Sequence, residues 1–470
     1  MSIIIPANSA AGGGLGYQVA NGVRFDDGSS SNFSDGSAPA GNRQKFTWSA
    51  WFKRSSVGAT QILASSSYSG ADEGYLFLSG GGVLGWQSTN SGDGDLGTNM
   101  LWRDLSAWYH VVFSVDTTQS TATNRIKLYI NGSQYTWDNS TTQPNVNQSL
   151  YFNVGGNYNT YIGRRAGGDY FDGYMSEIVF IDNAQLAADS FGEFDSASGI
   201  WKPLESVEDL TFGTSGYYLN FQNSSALGTD VSGVGNTFTA NNLAAIDQTT
   251  DTCTNNFATY NDLINSNGST SEGNLKYTTS NSGSNYGYRL STIGLSSGKW
   301  YAETKYTSSS NQALIGIRSR EATAVVDYLG VYSDDWGLYV NGEVYNNNSN
   351  IGDLGASWTS GDIIGTYIDL DNNKLYFSKN GALYSSTGLS ITAAASTTTG
   401  FYFFAASEWN SSGNGTFELN VGNPPFSLAN TPITDANGYG AFEYSPTITG
   451  DGASKDFLAL CTVNLSEALS

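Results

Sequence analysis

Residues 125–132 read RIKLYING and residues 373–381 read NKLYFSKNG, with WGLYVNGEVY at 336–345 between them. In the first phrase Ile126, Leu128 and Ile130 point one way and Lys127 and Tyr129 the other, the two-residue period of a strand with one buried face. Asn131-Gly132, Asn341-Gly342 and Asn380-Gly381 tolerate the positive φ that tight turns between antiparallel strands require. Each phrase is therefore half a hairpin. The first stands roughly 200 residues or more from the other two, and the stretch between does not repeat at the short period of a solenoid. Two separately folded β-units are expected.

Composition agrees with that reading. The chain has 470 residues, with 56 Gly, 8 Pro and long runs of Ser, Thr and Asn, a pattern of short strands joined by turns. The best helical period is AQLAADSFGEF at 184–194, where Leu186, Ala187 and Phe191 would line one side of a short helix. Lys and Arg number 20 against 42 Asp and Glu, a net charge of −22 that repels a phosphate backbone, so nucleic acid is not an expected partner. Cys253 and Cys461, the only cysteines, make neither a zinc set nor a disulfide framework. The opening MSIIIPANSAAGGGLGYQ has no basic start and no apolar core of signal-peptide or membrane-span length, so synthesis in a cytoplasm without membrane insertion is expected.

Residues 1–20 read as a flexible arm with little to bury. In KFTWSAWFKR, Phe46, Trp48, Ala50 and Phe52 share one face and Thr47, Ser49, Trp51 and Lys53 the other; WYHVVFSVD supplies a second apolar face with Tyr109, Val111, Phe113 and Val115. The phrases WSAWFKR, WRDLSAWYHVVFSVDTT, NRIKLYINGSQ, YIGRRAGGDYFDGYMSEIVFID and FGEFDSASGIWKP resemble, in this order, the laminin-G-like, concanavalin A-like jelly roll found in many tailed-bacteriophage virion proteins. SGKWYAETKY, ALIGIRS, WGLYVNGEVY and GDIIGTYIDLDNNKLYFSKNGALY resemble the SPRY module, another concanavalin A-like sandwich. FLALCTVNL at 457–465 resembles the close of such phage proteins, with Leu458 where they usually carry Lys. The resemblances imply an all-β chain of two concanavalin A-like jelly-roll β-sandwiches in tandem: an arm at 1–20 that docks on other virion proteins, a laminin-G-like sandwich at 21–203, an ordered connecting segment at 204–270, a SPRY-like sandwich at 271–425 and a C-terminal segment at 426–470.

Catalysis is not expected. His110, the single histidine, lies in an apolar strand, and the Glu-x-Asp-x-x-Glu phrase of the concanavalin-like glucanases is absent. Acidic residues sit in turns, as at Asp26-Asp27, Asp334-Asp335 and Asp369-x-Asp371, where Asp bonds nearby amides. They also offer oxygen ligands of the kind Ca²⁺ takes, but no metal is assigned and no cofactor is expected. The candidate binding residues are aromatics flanked by Gly, Ser, Asn or Asp: Trp86, Trp137, Trp336 and Trp409, with Asp334 and Asp335 beside Trp336 in a loop of the kind SPRY modules use for contact, while Trp48 and Trp300 read as core. The expected function is that of a virion protein, a tail fibre or other appendage, acting as a non-catalytic adhesin for host-surface glycan and working as a homotrimer. The alternatives are a head-decoration or tail-assembly protein that binds only virion neighbours and, further off, a polysaccharide-cleaving enzyme.

Overall fold

The computed structural model describes residues 16–36, 39–68, 72–138, 142–264, 266–280, 286–308, 312–320, 327–409, 414–449 and 454–467. The chain is all-β and divides into two compact units that meet in sequence between Asn255 and Asn256. Each unit is a sandwich of two antiparallel sheets that remain open rather than closing into barrels. Most of the proposed arm, residues 1–15, lies outside the described residues. Its end is pinned: Val19 donates to Thr254 Oγ1 at 3.0 Å and accepts from Thr252 Oγ1 at 3.0 Å.

In the first unit an eight-stranded sheet runs in the order Ser133–Tyr135, Ile126–Ile130, Tyr109–Asp116, Lys45–Arg54, Gly173–Asp182, Gly22–Phe25 and Gln248–Thr249, with Tyr217–Leu219 also beside Gly173–Asp182. It faces a seven-stranded sheet in the order Thr239–Asn241, Asn32–Ser34, Asn159–Ile162, Gln61–Tyr68, Asp72–Leu78, Val83–Ser88 and Leu96–Leu101. Phe46, Trp48, Ala50, Phe52, Val111, Phe113, Ile126 and Leu128 fill the space between them. The opening hairpin forms as its residues require: Ile130 pairs with Ser133 across two residues, and Asn131 and Gly132 take φ of 45° and 82°.

The face assigned to Thr47, Ser49, Trp51 and Lys53 is also withheld from water. Residues 184–212 lie over it, packing Leu186, Phe191, Val207 and Phe212 onto Val112, Tyr129, Val179, Ile181 and Tyr218. The segment 184–194 is not a helix: it makes one tight turn at Ala188–Ser190 and then a strand, Gly192–Phe194, paired with Trp201–Pro203. Residues 204–255 are thus part of the first sandwich, to which they add three strands. The expected connecting segment divides at Asn256, since Phe257, Ala258 and Tyr260 enter the core of the second unit.

Two polar anchors hold this covering layer. Lys53 is buried in an ion pair with Asp251, its ammonium lies 4.5 Å from the Tyr174 ring centroid, and Trp108 Nε1 donates to Asp251 Oδ1 at 3.0 Å. At the second anchor Trp201 Nε1, which can only donate, bonds His110 Nδ1 at 3.0 Å. The imidazole proton therefore sits on Nε2 and is given to Ser49 Oγ at 2.9 Å. Burial pushes the His110 pKa down to about 3, so the ring stays neutral.

The second unit pairs a nine-stranded sheet with a six-stranded one; the nine run Ser269–Ser271, Lys276–Thr278, Gly415–Asn420, Lys299–Ser308, Ile363–Asp369, Lys374–Lys379 and Ala382–Leu383, with Leu389–Ser390 also beside Lys374–Lys379 and Leu458–Ala459 beside Lys299–Ser308. The six run Gly287–Leu290, Phe403–Glu408, Ala313–Arg318, Asp335–Tyr339, Glu343–Asn346 and Ser349–Asp353. Asn380 and Gly381 turn their hairpin with φ of 48° and 79°. At Asn341-Gly342 only the glycine has positive φ, and Asn341 Oδ1 instead accepts the Glu343 amide at 2.9 Å, giving a longer loop. The C-terminal segment covers the outer face of the nine-stranded sheet. Phe442 and Phe457 pack on Tyr301 and Tyr367, and Leu458–Ala459 pairs in parallel with Lys299–Ser308.

Two predictions follow from the anchors of the first unit. Asp251→Ala strands the Lys53 ammonium in an apolar layer and should cost about 3–5 kcal/mol in denaturant unfolding. The second concerns Glu177, which stands at a bulge with φ of 51° and accepts from the Tyr218 hydroxyl. Burial raises its pKa from 4.5 to about 7, against the hydrogen bonds from Tyr218 and Tyr17. Between those pH values the folded chain binds more protons at this site than the unfolded chain, so stability falls as pH rises through the window. Glu177→Gln should remove that part of the slope, read as the wild-type minus variant difference in unfolding free energy from pH 4.5 to 7.

Candidate functional site

Five of the six residues sought as ligand contacts are occupied within the fold. Trp86 lies in the Val83–Ser88 strand, fully buried among Phe113 and Phe152, with Nε1 donating to the Asp93 carbonyl at 3.1 Å. Trp137 is half-buried against the same core and gives its N–H to the Ile126 carbonyl at 2.9 Å. Trp336 is a core residue of the Asp335–Tyr339 strand, edge-on to Tyr402. The placements of Trp86 and Trp336 correct the expectation of loop surfaces, while Trp137 lies in a loop packed on the core, and the signal was present in the sequence. Leu84 and Trp86, and Trp336 and Leu338, keep the two-residue period of inward-facing strand positions.

The two aspartates are internal ties. Asp334 receives Arg320 Nη2 at 2.8 Å, the Thr398 amide at 3.0 Å and the Thr398 hydroxyl at 2.7 Å. Burial works against its ionisation, but the Thr398 bonds and Arg320 outweigh it and hold the pKa below the usual carboxylate value. Asp335 is fully buried 3.8 Å from Arg318 Nε. Burial lifts its pKa to about 6 and Arg318 opposes the rise.

Trp409 is different, with 39% of its surface exposed. It follows the Phe403–Glu408 strand, and its amide is tied to the Gln312 carbonyl at 2.8 Å. Its ring stacks on Tyr328 at 5.4 Å between centroids and 22° between planes, and stands 6.2 Å from Tyr339. Tyr286 meets Tyr328 edge-on at 5.7 Å, and Tyr345 meets Tyr339 at 6.0 Å. Five rings therefore form one aromatic patch on the outer face of the six-stranded sheet, over a small apolar layer that includes Leu314, Leu329 and Phe403. The phenols are oriented by polar neighbours: Tyr328 to Asn348 Oδ1 at 2.9 Å, Tyr339 to Gln312 Oε1 at 2.7 Å and Tyr345 to Glu343 Oε2 at 2.9 Å. Burial raises the pKa of all three, so they remain hydroxyl donors at neutral pH. Partly exposed rings with hydroxyl and amide groups at their margins can stack on the apolar face of a sugar, or on a peptide side chain, and bond its polar groups.

Sequence reasoning missed the four tyrosines because they come from separated strands and loops whose adjacency is set by pairing. The register aligns Leu314 with Tyr339 and Ser407, and Gly337 with Tyr345, which brings those strands under one patch. In the first unit Asp26, Asp27 and Asp172 bring carboxylate oxygens within 4.8 Å of one another, with the Arg54 guanidinium acting electrostatically on Asp172. That acidic trio is not assigned as a metal site.

Exposure separates the tryptophans in a measurable way. Trp86→Ala and Trp336→Ala should each cost about 3–5 kcal/mol of unfolding free energy. Trp409→Ala should stay within about 1 kcal/mol of wild type.

Comparison with known proteins agrees with this division into two sandwiches. Residues 26–189 match the model of the concanavalin A-like lectin/glucanases superfamily, and residues 272–420 match that of the SPRY domain. No curated protein matches the chain. Among solved structures, the SPRY domain of human HERC1 is similar at 21% identity over 31% of this chain and 87% of that one, with a TM-score of 0.25. A native heptameric SAP-like pentraxin from Limulus polyphemus is similar at 17% identity over 36% of this chain and 80% of that one, with a TM-score of 0.26. The chain thus joins a concanavalin A-like lectin/glucanase-type domain to a SPRY domain that follows it, a pair suited to binding protein or carbohydrate.

Proposed function

We propose that the chain is a structural protein of a tailed-bacteriophage virion, in a tail fibre or other appendage, and that it holds host-surface glycan without cleaving it. The observation that carries the adhesive part is the exposed Trp409 on its bed of tyrosines, a preformed stacking surface on the outer face of the six-stranded sheet. The virion part is supported by the order of phage-like phrases from WSAWFKR to FGEFDSASGIWKP and by the closing FLALCTVNL. An adhesive rather than catalytic role is supported by His110, whose two ring nitrogens are both engaged inside the first sandwich, and by the absence of the glucanase carboxylate phrase. In this reading the arm at 1–20 docks on other virion proteins and the chain assembles as a homotrimer. A contact of modest strength at each copy then gains from being held three times.

The test is to incubate the purified chain with host cells and host-surface polysaccharide, recording retained protein and released reducing ends together. Retention without release is the expected result, with Trp409→Ala lowering the affinity by about tenfold. Release of reducing ends, or unchanged retention by Trp409→Ala, would sink the reading.

A further inference from the structure

We infer that the first unit carries a second binding site, one that takes the negatively charged sugar units of an acidic polysaccharide, centred on Arg164. It uses different residues in a different unit from Trp409 and stands or falls separately.

The seven-stranded sheet gives its inner face to the core. On its outer face Tyr161, Ser65, Tyr75 and Gln87 lie side by side across four neighbouring strands, as the register sets them. At the usual strand spacing this row is about 14 Å wide, and at its centre Ser65 is buried, giving its hydroxyl to the Arg164 carbonyl at 2.8 Å. Tyr75, Phe77, Tyr161 and Tyr170 keep part of their surface in water and belong to none of the buried clusters.

The loop that follows Asn159–Ile162 folds back over this row. Gly163 and Gly168 reverse it with φ of 83° and 110°, and Arg165 and Gly168 exchange backbone hydrogen bonds at 3.1 Å. Arg165 fastens the loop to the sheet: Nη1 reaches Glu73 Oε1 at 2.7 Å, Nε reaches Asp169 Oδ2 at 2.7 Å, and the guanidinium lies 5.0 Å from the Tyr75 ring centroid. Its charge is thereby satisfied.

Arg164 is placed with equal care and left uncompensated. Its guanidinium stands 4.9 Å from the Tyr161 centroid and 5.2 Å from that of Tyr170. Nε and Nη2 donate to the carbonyls of Arg165 and Ala166 at 3.0 and 3.1 Å. Among the described residues no carboxylate pairs with it. The Nη1 and Nη2 edge keeps hydrogens without a protein acceptor, the geometry that takes two oxygens of a carboxylate or sulfate. The neighbouring groups suit a sugar. Tyr161 OH receives Asn159 Nδ2 at 3.0 Å and still has its own proton to give, and Gln87 accepts from Tyr75 while its amide nitrogen remains to donate. In a chain of net charge −22, a cation kept free of carboxylates on a tyrosine-lined face is complementary to an acidic ligand.

Affinity electrophoresis of the full chain tests this, in gels carrying alginate as the acidic polymer or dextran as the neutral one. Alginate should retard the chain and dextran should not. Arg164→Gln should weaken alginate binding about tenfold, as expected for loss of a charge-assisted pair of hydrogen bonds. Arg164→Lys, which keeps the charge but loses the fork, should fall between wild type and Arg164→Gln. Arg103→Gln removes the same charge from an exposed arginine bonded only to the Gly81 carbonyl, and it should bind as wild type does. Equal retardation by dextran, or Arg164→Gln matching Arg103→Gln, would overturn the site. Displacement by free sulfate at the same molar concentration as the uronate units would overturn the polymer as its ligand.

Discussion

A sheet whose two faces are both apolar cannot stop at being half of a sandwich; it needs a third layer, and in this chain both sandwiches build one from sequence that follows the hairpins. In the first unit residues 184–212, with Asp251, lie over the eight-stranded sheet, and in the second the segment after Asn420 lies over the nine-stranded one. The layers are fixed by polar groups that water no longer reaches, so each such group needs its partner in place. Glu303 shows the standard of fit. This carboxylate, wholly buried, receives the Glu443 and Tyr444 amides at 3.0 and 2.7 Å, Asn420 Nδ2 at 2.8 Å and the Tyr301 hydroxyl at 3.1 Å. Burial still leaves its pKa raised to about 7.

Covering one sheet on both sides leaves the outer face of the other for display. The outer face of the seven-stranded sheet and that of the six-stranded sheet are where rings are displayed beyond what the main cores use, Tyr75, Tyr161 and Tyr170 on the first and Trp409 with its tyrosines on the second. Each display is framed by residues fixed elsewhere, the Arg165 clasp in one and the Gln312 and Asn348 bonds in the other. A contact surface set in advance loses less freedom when it meets its ligand.

The fold was legible because its signals are local. Alternation and Asn-Gly pairs lie within a few residues of each other, so RIKLYING states its own hairpin. The covering layers were not legible. Trp51 and Lys53 read as an outward face because alternation reports which residues share a side, not what later arrives over that side. The same limit misplaced Trp86 and Trp336, whose polar flanks spoke louder than their strand period. Trp409 alone of the four tryptophans has the exposure that its polar flanks suggested. Arg164 was not legible, since nothing in GRRAGG distinguishes the arginine that is clasped from the one that is not.

The position of the last strand also has a temporal consequence. Leu458–Ala459 docks against Lys299–Ser308, and Phe457 against Tyr367, so partners well separated in sequence must wait for each other as the chain is made. At roughly 5–20 residues per second, the outer face of the nine-stranded sheet stays bare for about 5 to 30 seconds after its central strands leave the ribosome. During that interval Tyr301 and Tyr367 present an apolar face to every other nascent copy nearby. The density of Ser, Thr and Asn and the strong negative charge of the chain then serve a second purpose, keeping growing chains apart until each has closed over itself.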